Sequence, residues 1–113
     1  MIVGIGVDLV DVARFETAIA NTPKLKDRLF TEGEKSLNSY SLAARFAAKE
    51  ALYKALSPSH GLSWHEAEVI NFENGKPAFL FRGAIADLVD GAQVHLSLSH
   101  DGGIASAMVV LER

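Results

Sequence analysis

Two carboxylates, with cations clustered around one of them, are the residues of this sequence best suited to chemistry. In RFAAKEALYKAL (45–56), Glu50 sits among Arg45, Lys49 and Lys54, with Phe46 and Tyr53 between the charges. Glu50 and Lys54, four residues apart, can form an ordinary surface pair worth about 0.3–0.5 kcal/mol. Two large rings amid the charges suit instead a half-buried side that faces a ligand or partner. Asp8 lies in MIVGIGVDLV, where aspartate is disfavoured in a strand and an unpaired buried carboxylate is costly. Its same-face neighbours Gly4 and Gly6 have no side chains, so the surface beside Asp8 is expected to be open to a close-approaching group. The plainer alternative is that Asp8 ends the strand or caps the next helix. Two carboxylates from separate elements, in a chain without cysteine, suit a hard cation such as Mg²⁺. That ion takes oxygen ligands and commonly rests on one or two carboxylates, waters and substrate phosphates. Neighbouring Lys and Arg side chains would then meet the phosphates. Spacing alone does not show that Asp8 and Glu50 meet.

The elements that must position these groups follow from the apolar pattern. Residues 2–10 read as a strand, with Val3, Ile5, Val7 and Leu9 on one face and Gly4, Gly6, Asp8 and Val10 on the other. Asp11 can cap a helix running to about Ala20. Residues 21–26 read as a polar connection containing Pro23. Thr31-Glu32-Gly33-Glu34 has capping-box spacing and predicts a short helix. A longer helix is expected from about Ser41 to Leu56, ending at the breaker Ser57-Pro58-Ser59-His60-Gly61. Its Ala44, Ala47, Ala48, Ala51, Leu52 and Ala55 share one arc of mostly small side chains, which permits close packing. Residues 66–73 and 78–81 flank Asn74-Gly75-Lys76-Pro77 as a hairpin. A short helix over 84–89, a strand over 93–99, the turn Asp101-Gly102-Gly103 and a strand over 104–111 complete the chain. Hairpins outnumber parallel crossover units, so the expected class is α+β with a mainly antiparallel sheet packed with helices.

The 113 residues suit one domain, 1–113, with a core small enough to benefit from self-association. The absence of cysteine excludes disulfides and thiolate metal sites. No apolar run is long enough to span a membrane. The start, MIVGIGVD, lacks the basic segment of a signal peptide. A formal net charge of −3 argues against a general nucleic-acid binder. His60 and His65 read as loop residues and His95 as a sheet-face residue. Trp64 reads as packing at a core or interface edge, and Phe79 and Phe81 as sharing an inward face.

GIGVDLVDVARF (4–15), FTEGE (30–34), RFAAKEALYKAL (45–56), SWHEAEV (63–69), NGKP (74–77) and LSLSHD (96–101) together resemble the holo-acyl-carrier-protein synthases, the small 4′-phosphopantetheinyl transferases. The resemblance spans nearly the whole chain in the family's order. It implies an α+β fold, a homotrimer with active sites between subunits, a cytoplasmic location, and no membrane or nucleic-acid partner. It implies transfer of the 4′-phosphopantetheine arm of coenzyme A to a serine of an acyl carrier protein, releasing adenosine 3′,5′-bisphosphate, in fatty-acid synthesis. It implies Mg²⁺ held by Asp8 and Glu50, with Arg45, Lys49 and Lys54 on the phosphates. It places Asn74, Gly75, Lys76 and Pro77 near the adenine and 3′-phosphate, and His100 near the coenzyme.

The expected catalytic groups are Glu50, Lys54 and Asp101; a carboxylate-held water, Glu50 or Asp101 would take the serine proton. The resemblance places Arg14 where the family docks its carrier protein; Lys24, Lys26 and Arg28 extend it into a local basic stretch that would meet the acidic carrier, or is ordinary solvated charge. The chain departs from the family in a shorter segment between Phe30 and Arg45, and in Gly102-Gly103, where relatives often carry larger residues. Two rival functions are a non-catalytic binder of coenzyme A or a related nucleotide, and a transferase serving a polyketide or large-synthase carrier domain. A third is a structural subunit of a larger synthase.

Overall fold

Alternation over the first residues becomes strand β1 (Ile2–Asp11), which pairs antiparallel with β5 (Ile104–Glu112). β5 in turn pairs antiparallel with β4 (Gln93–Asp101), giving the sheet order β1-β5-β4. The β4–β5 hairpin turns at Gly102 and Gly103, both with positive φ (57° and 82°). Larger side chains would be strained in this turn. A second sheet pairs β2 (Ala67–Asn71) with β3 (Pro77–Phe81). This computed structural model describes residues 1–58 and 63–113. Ser59, His60 and Gly61 of the expected breaker lie outside the described residues.

The long helix is α4 (Ser39–Leu56), and it lies against β1 and β5. Its Ala43, Ala47, Ala48, Ala51, Leu52 and Ala55 are buried against Val10, Ala105, Ala107, Val109 and Leu111 of the sheet. Small residues on both sides bring the backbones together. A Cβ added at Gly4 would collide with the Ala55 carbonyl, and one at Gly6 with the Ala51 carbonyl. The open surface expected beside Asp8 is therefore filled by α4 itself, and the missing side chains serve helix–sheet contact. The other face of the sheet carries Ile5, Val7, Leu9 and Met108, all about half exposed or more.

Asp11 caps α1 (Val12–Asn21), its Oδ1 accepting from the Arg14 amide at 2.9 Å. The connection expected over residues 21–26 gives way at Leu25 to α2 (Leu25–Leu29), a short helix that the sequence pattern did not predict. Leu29, buried against the core, gives that turn of helix an anchor that polar composition hid. The capping box opens α3 (Glu32–Lys35), with the Thr31 amide donating to Glu34 Oε1 at 3.0 Å. A 3₁₀ turn at Trp64–Glu66 precedes β2, which starts one residue later and ends two residues sooner than expected. Residues 72–76 form the hairpin loop, closed by Gly75 N–H to the Phe72 carbonyl (2.8 Å). Pro77 opens β3, a strand position where its missing N–H is tolerated. Helix α5 (Gly83–Val89) ends at Asp90 in the left-handed region, and β4 runs two residues beyond its expected end.

Candidate active site

Asp8 stands on the α4-facing side of β1, and Glu50 on the flank of α4 that clears the sheet. Both line one cavity of about 640 Å³. Arg14 of α1, Arg28 of α2, Phe46 of α4 and Trp64 of the 3₁₀ turn line it as well. The Lys54 ammonium closes the carboxylate end, donating to the Val7 carbonyl at 2.8 Å and pairing with Asp8 Oδ1 at 3.1 Å. The surface pair Glu50–Lys54 is thus not the arrangement adopted; Lys54 reaches across to the strand. Burial, and then the negative charge of Asp8, push the Glu50 carboxyl above its ordinary value, with Lys54 opposing. A carboxylate in that state is stabilised by an added cation. Among the described residues no three His, Asp or Glu side chains gather as a closed metal cage. Two carboxylates with room beside them fit an ion that keeps water and takes phosphate oxygens, the habit of Mg²⁺.

A second cavity, of about 290 Å³, is lined by Arg45, His100, Tyr40, Asn38, Ser41 and Ser99, among others. The Tyr40 and His100 rings lie 5.5 Å apart. Arg45 Nη2 donates to Asn71 Oδ1 at 2.6 Å, and Asn71 Nδ2 donates to the Gly75 carbonyl at 2.9 Å. Asn71 therefore ties Arg45 to the loop of Asn74, Gly75 and Lys76. Nothing in the sequence singled it out, because its position at a strand end gave no hint of two partners on different elements. Arg45 Nε is buried without a hydrogen-bond partner among the described residues. Burial lowers the affinity of this guanidinium for its proton, with Glu34 opposing.

Several expected site residues are placed away from the cavity that Asp8 and Glu50 share. Lys49, expected on the phosphates, is wholly buried and paired with Glu34 at 2.8 Å. Its Nζ also donates to the Leu29 carbonyl (2.8 Å) and the Trp64 carbonyl (2.9 Å), so all three ammonium protons are committed within the chain. Asp101 ends β4 opposite Ile104, on the sheet face away from α4, and lines neither cavity. Within one chain it does not join Asp8 and Glu50, because strand alternation turns it outward. Lys24 is exposed beside α2 and, unlike Arg14 and Arg28, does not line the larger cavity. The 74–77 loop does not line it either.

A family model described as the 4′-phosphopantetheinyl transferase superfamily matches residues 4–107. A holo-[acyl-carrier-protein] synthase of Leifsonia xyli subsp. xyli is 57% identical, with 100% of this chain and 98% of the relative covered. The crystal structure of holo-[acyl-carrier-protein] synthase from Neisseria meningitidis superposes with a TM-score of 0.90 at 30% identity, covering 100% of both chains. That of the Helicobacter pylori synthase in complex with coenzyme A superposes with a TM-score of 0.84 at 32% identity, covering 96% of this chain and 99% of that one.

Proposed function

The chain belongs to the holo-[acyl-carrier-protein] synthases of the 4′-phosphopantetheinyl transferase superfamily, and on that premise we propose how its residues divide the work. The reaction moves the 4′-phosphopantetheine arm of coenzyme A to a serine of apo acyl carrier protein and releases adenosine 3′,5′-bisphosphate. The observation that carries the assignment of roles is the meeting of Asp8 and Glu50 at one cavity, with Lys54 on Asp8.

Asp8 and Glu50 would hold Mg²⁺. When bound, the ion supplies positive charge to the pyrophosphate oxygens and offsets the charge that develops during transfer. Lys54, paired with Asp8, adds a further cation beside the phosphates, while Arg45 and His100 line the smaller cavity as the coenzyme's phosphate contacts. The 74–77 loop, tied to Arg45 through Asn71, supports the same end of the coenzyme. In the transfer, the serine oxygen forms the new bond to phosphorus. The bond from that phosphorus to the adenosine bisphosphate oxygen breaks, and the serine proton goes to Glu50.

Arg14 and Arg28 flank the cavity and suit an acidic carrier, with Lys24 adding charge farther out. The apolar outer face of β1 and β5 suits burial against further copies of the chain, as a homotrimer would provide. Such an assembly would bring loops of one copy toward the site of the next. The site lies in a chain whose described residues include no helix long and apolar enough to cross a membrane, and we place its action in the cytoplasm, in fatty-acid synthesis.

The test mixes the protein with coenzyme A, Mg²⁺ and apo acyl carrier protein and weighs the carrier by mass spectrometry. The expected result is a gain of one phosphopantetheine, abolished by chelator and restored by added Mg²⁺. Transfer that persists in chelator would remove the metal from this reading.

A further inference from the structure

Lys49 follows directly before Glu50 in α4 but turns into the protein. Its side chain is 0% exposed, and that of its partner Glu34 is 1% exposed. Taking both charges out of water is expensive, and apolar side chains of similar volume often serve stability equally well. Stability by itself is therefore a poor account of this pair. Hydrogen-bonding capacity is what an apolar pair would lack. Lys49 holds the Leu29 and Trp64 carbonyls, while Glu34 accepts from the Thr31 amide (3.0 Å) and the Val69 amide (2.9 Å). The end of α2, the start of α3, the 3₁₀ turn and β2 are thereby pinned to α4 one residue from Glu50. Two of these attachments belong to cavity residues, since Leu29 and Trp64 both line the cavity that Glu50 lines. The Trp64 ring also packs 5.6 Å from that of Phe46, a third wall residue.

We propose that the buried Lys49–Glu34 pair is a positioning device for the wall of the cavity. It fixes Leu29 and Trp64 relative to Glu50, and so sets how the serine-bearing segment of the carrier fits. The inference rests on the reading above that this cavity receives the carrier. Neither residue touches substrate; both act through the main chain of the segments they hold.

Lys49→Met keeps the length of the side chain and removes its donors. Lys49→Met/Glu34→Gln also removes the buried carboxylate left unpaired, and provides a folded protein where the single variant unfolds. For each folded variant the KM for apo carrier, the KM for coenzyme A and the emission of Trp64, the one tryptophan in the chain, are measured. The carrier KM should rise roughly tenfold or more, with the coenzyme A KM within about twofold, as expected when one reactant is displaced by a fraction of an ångström. Trp64 emission should move to longer wavelength and become more accessible to a soluble quencher. A lower Tm with carrier KM and Trp64 emission unchanged would overturn the proposal, leaving the pair a purely structural one. Arg14→Glu in the same assay separates the two levels. If it raises the carrier KM and the Lys49 variants do not, positioning alone fails. If none of these variants changes it, the docking reading fails and the proposal with it.

Discussion

Glu50 bears the cost of its surroundings: burial and the nearby Asp8 both disfavour its charged form. Its folded-state affinity for a proton is raised, so the folded chain binds more protons than the unfolded one between the ordinary glutamate value of 4.5 and the raised one. Its contribution to stability is thus most favourable below pH 4.5 and is lost as pH rises through the raised value. In metal-free buffer at neutral pH, Glu50→Gln should raise Tm, and the gain over the parent should vanish in acid. The same substitution should reduce transfer by on the order of 10²-fold or more, the usual worth of a proton acceptor. Thermal melts across pH and single-turnover transfer check the two halves. A variant with full transfer would remove Glu50 from the chemistry. The sequence made Asp8 and Glu50 legible as candidates because their residue types were unusual for their places. It could not separate Lys49 from Arg45 and Lys54, since all three are cations on the same helix. Only the packing of α2, α3 and β2 around α4 committed every ammonium donor of Lys49 inside the chain.

At the scale of elements, the closeness of β1 to α4 is what brings Asp8 and Glu50 to one cavity. Gly6 is the tightest point, since an added Cβ would collide with the backbone at Ala51. Backbone cannot swing aside as a side chain does, so the helix would have to move. Gly6→Ala should destabilise by about 1–3 kcal/mol or more and lower transfer at temperatures where the protein is still folded. Urea unfolding followed by circular dichroism measures the first, the transfer assay the second. Unchanged stability would mean that the helix can withdraw freely. The glycines and alanines were visible in the sequence as two separate patterns. Their meeting was not, because nothing local to either element states which surface the other will cover.

At the scale of the whole molecule, the outer face of β1 and β5 leaves Ile5, Val7, Leu9 and Met108 in solvent. Burying that face between copies is the economical outcome for a small domain, whose single core covers little surface. Val7→Glu or Leu9→Lys, placed in the middle of the face, should shift the mass measured by light scattering from that of the proposed trimer toward monomer and reduce transfer with it. A parent protein that scatters as a monomer would overturn the trimer. The charge pattern has its own consequence at this scale. The chain is acidic overall, yet Arg14 and Arg28 line the same cavity. Arg14→Glu should raise the carrier KM and weaken its dependence on salt, leaving the coenzyme A KM near that of the parent. Steady-state kinetics at several ionic strengths decide this. Equal loss toward both substrates would point to misfolding.

By itself the sequence determined the elements whose signals are local. These were the alternating strand of β1, the Asp11 cap, the capping box of α3, the small-residue face of α4 and the glycine turns. It also carried the family pattern, in motifs that follow one another in order along nearly the whole chain. Tertiary structure alone decided that Asp8 and Glu50 share a cavity and that Lys54 reaches back to β1. It buried Lys49 with Glu34, joined Asn71 to Arg45, and left Asp101 on the far face. The division follows from range. Caps, turns and alternation depend on residues a few positions apart, whereas contacts between residues tens of positions apart depend on where every intervening element has packed.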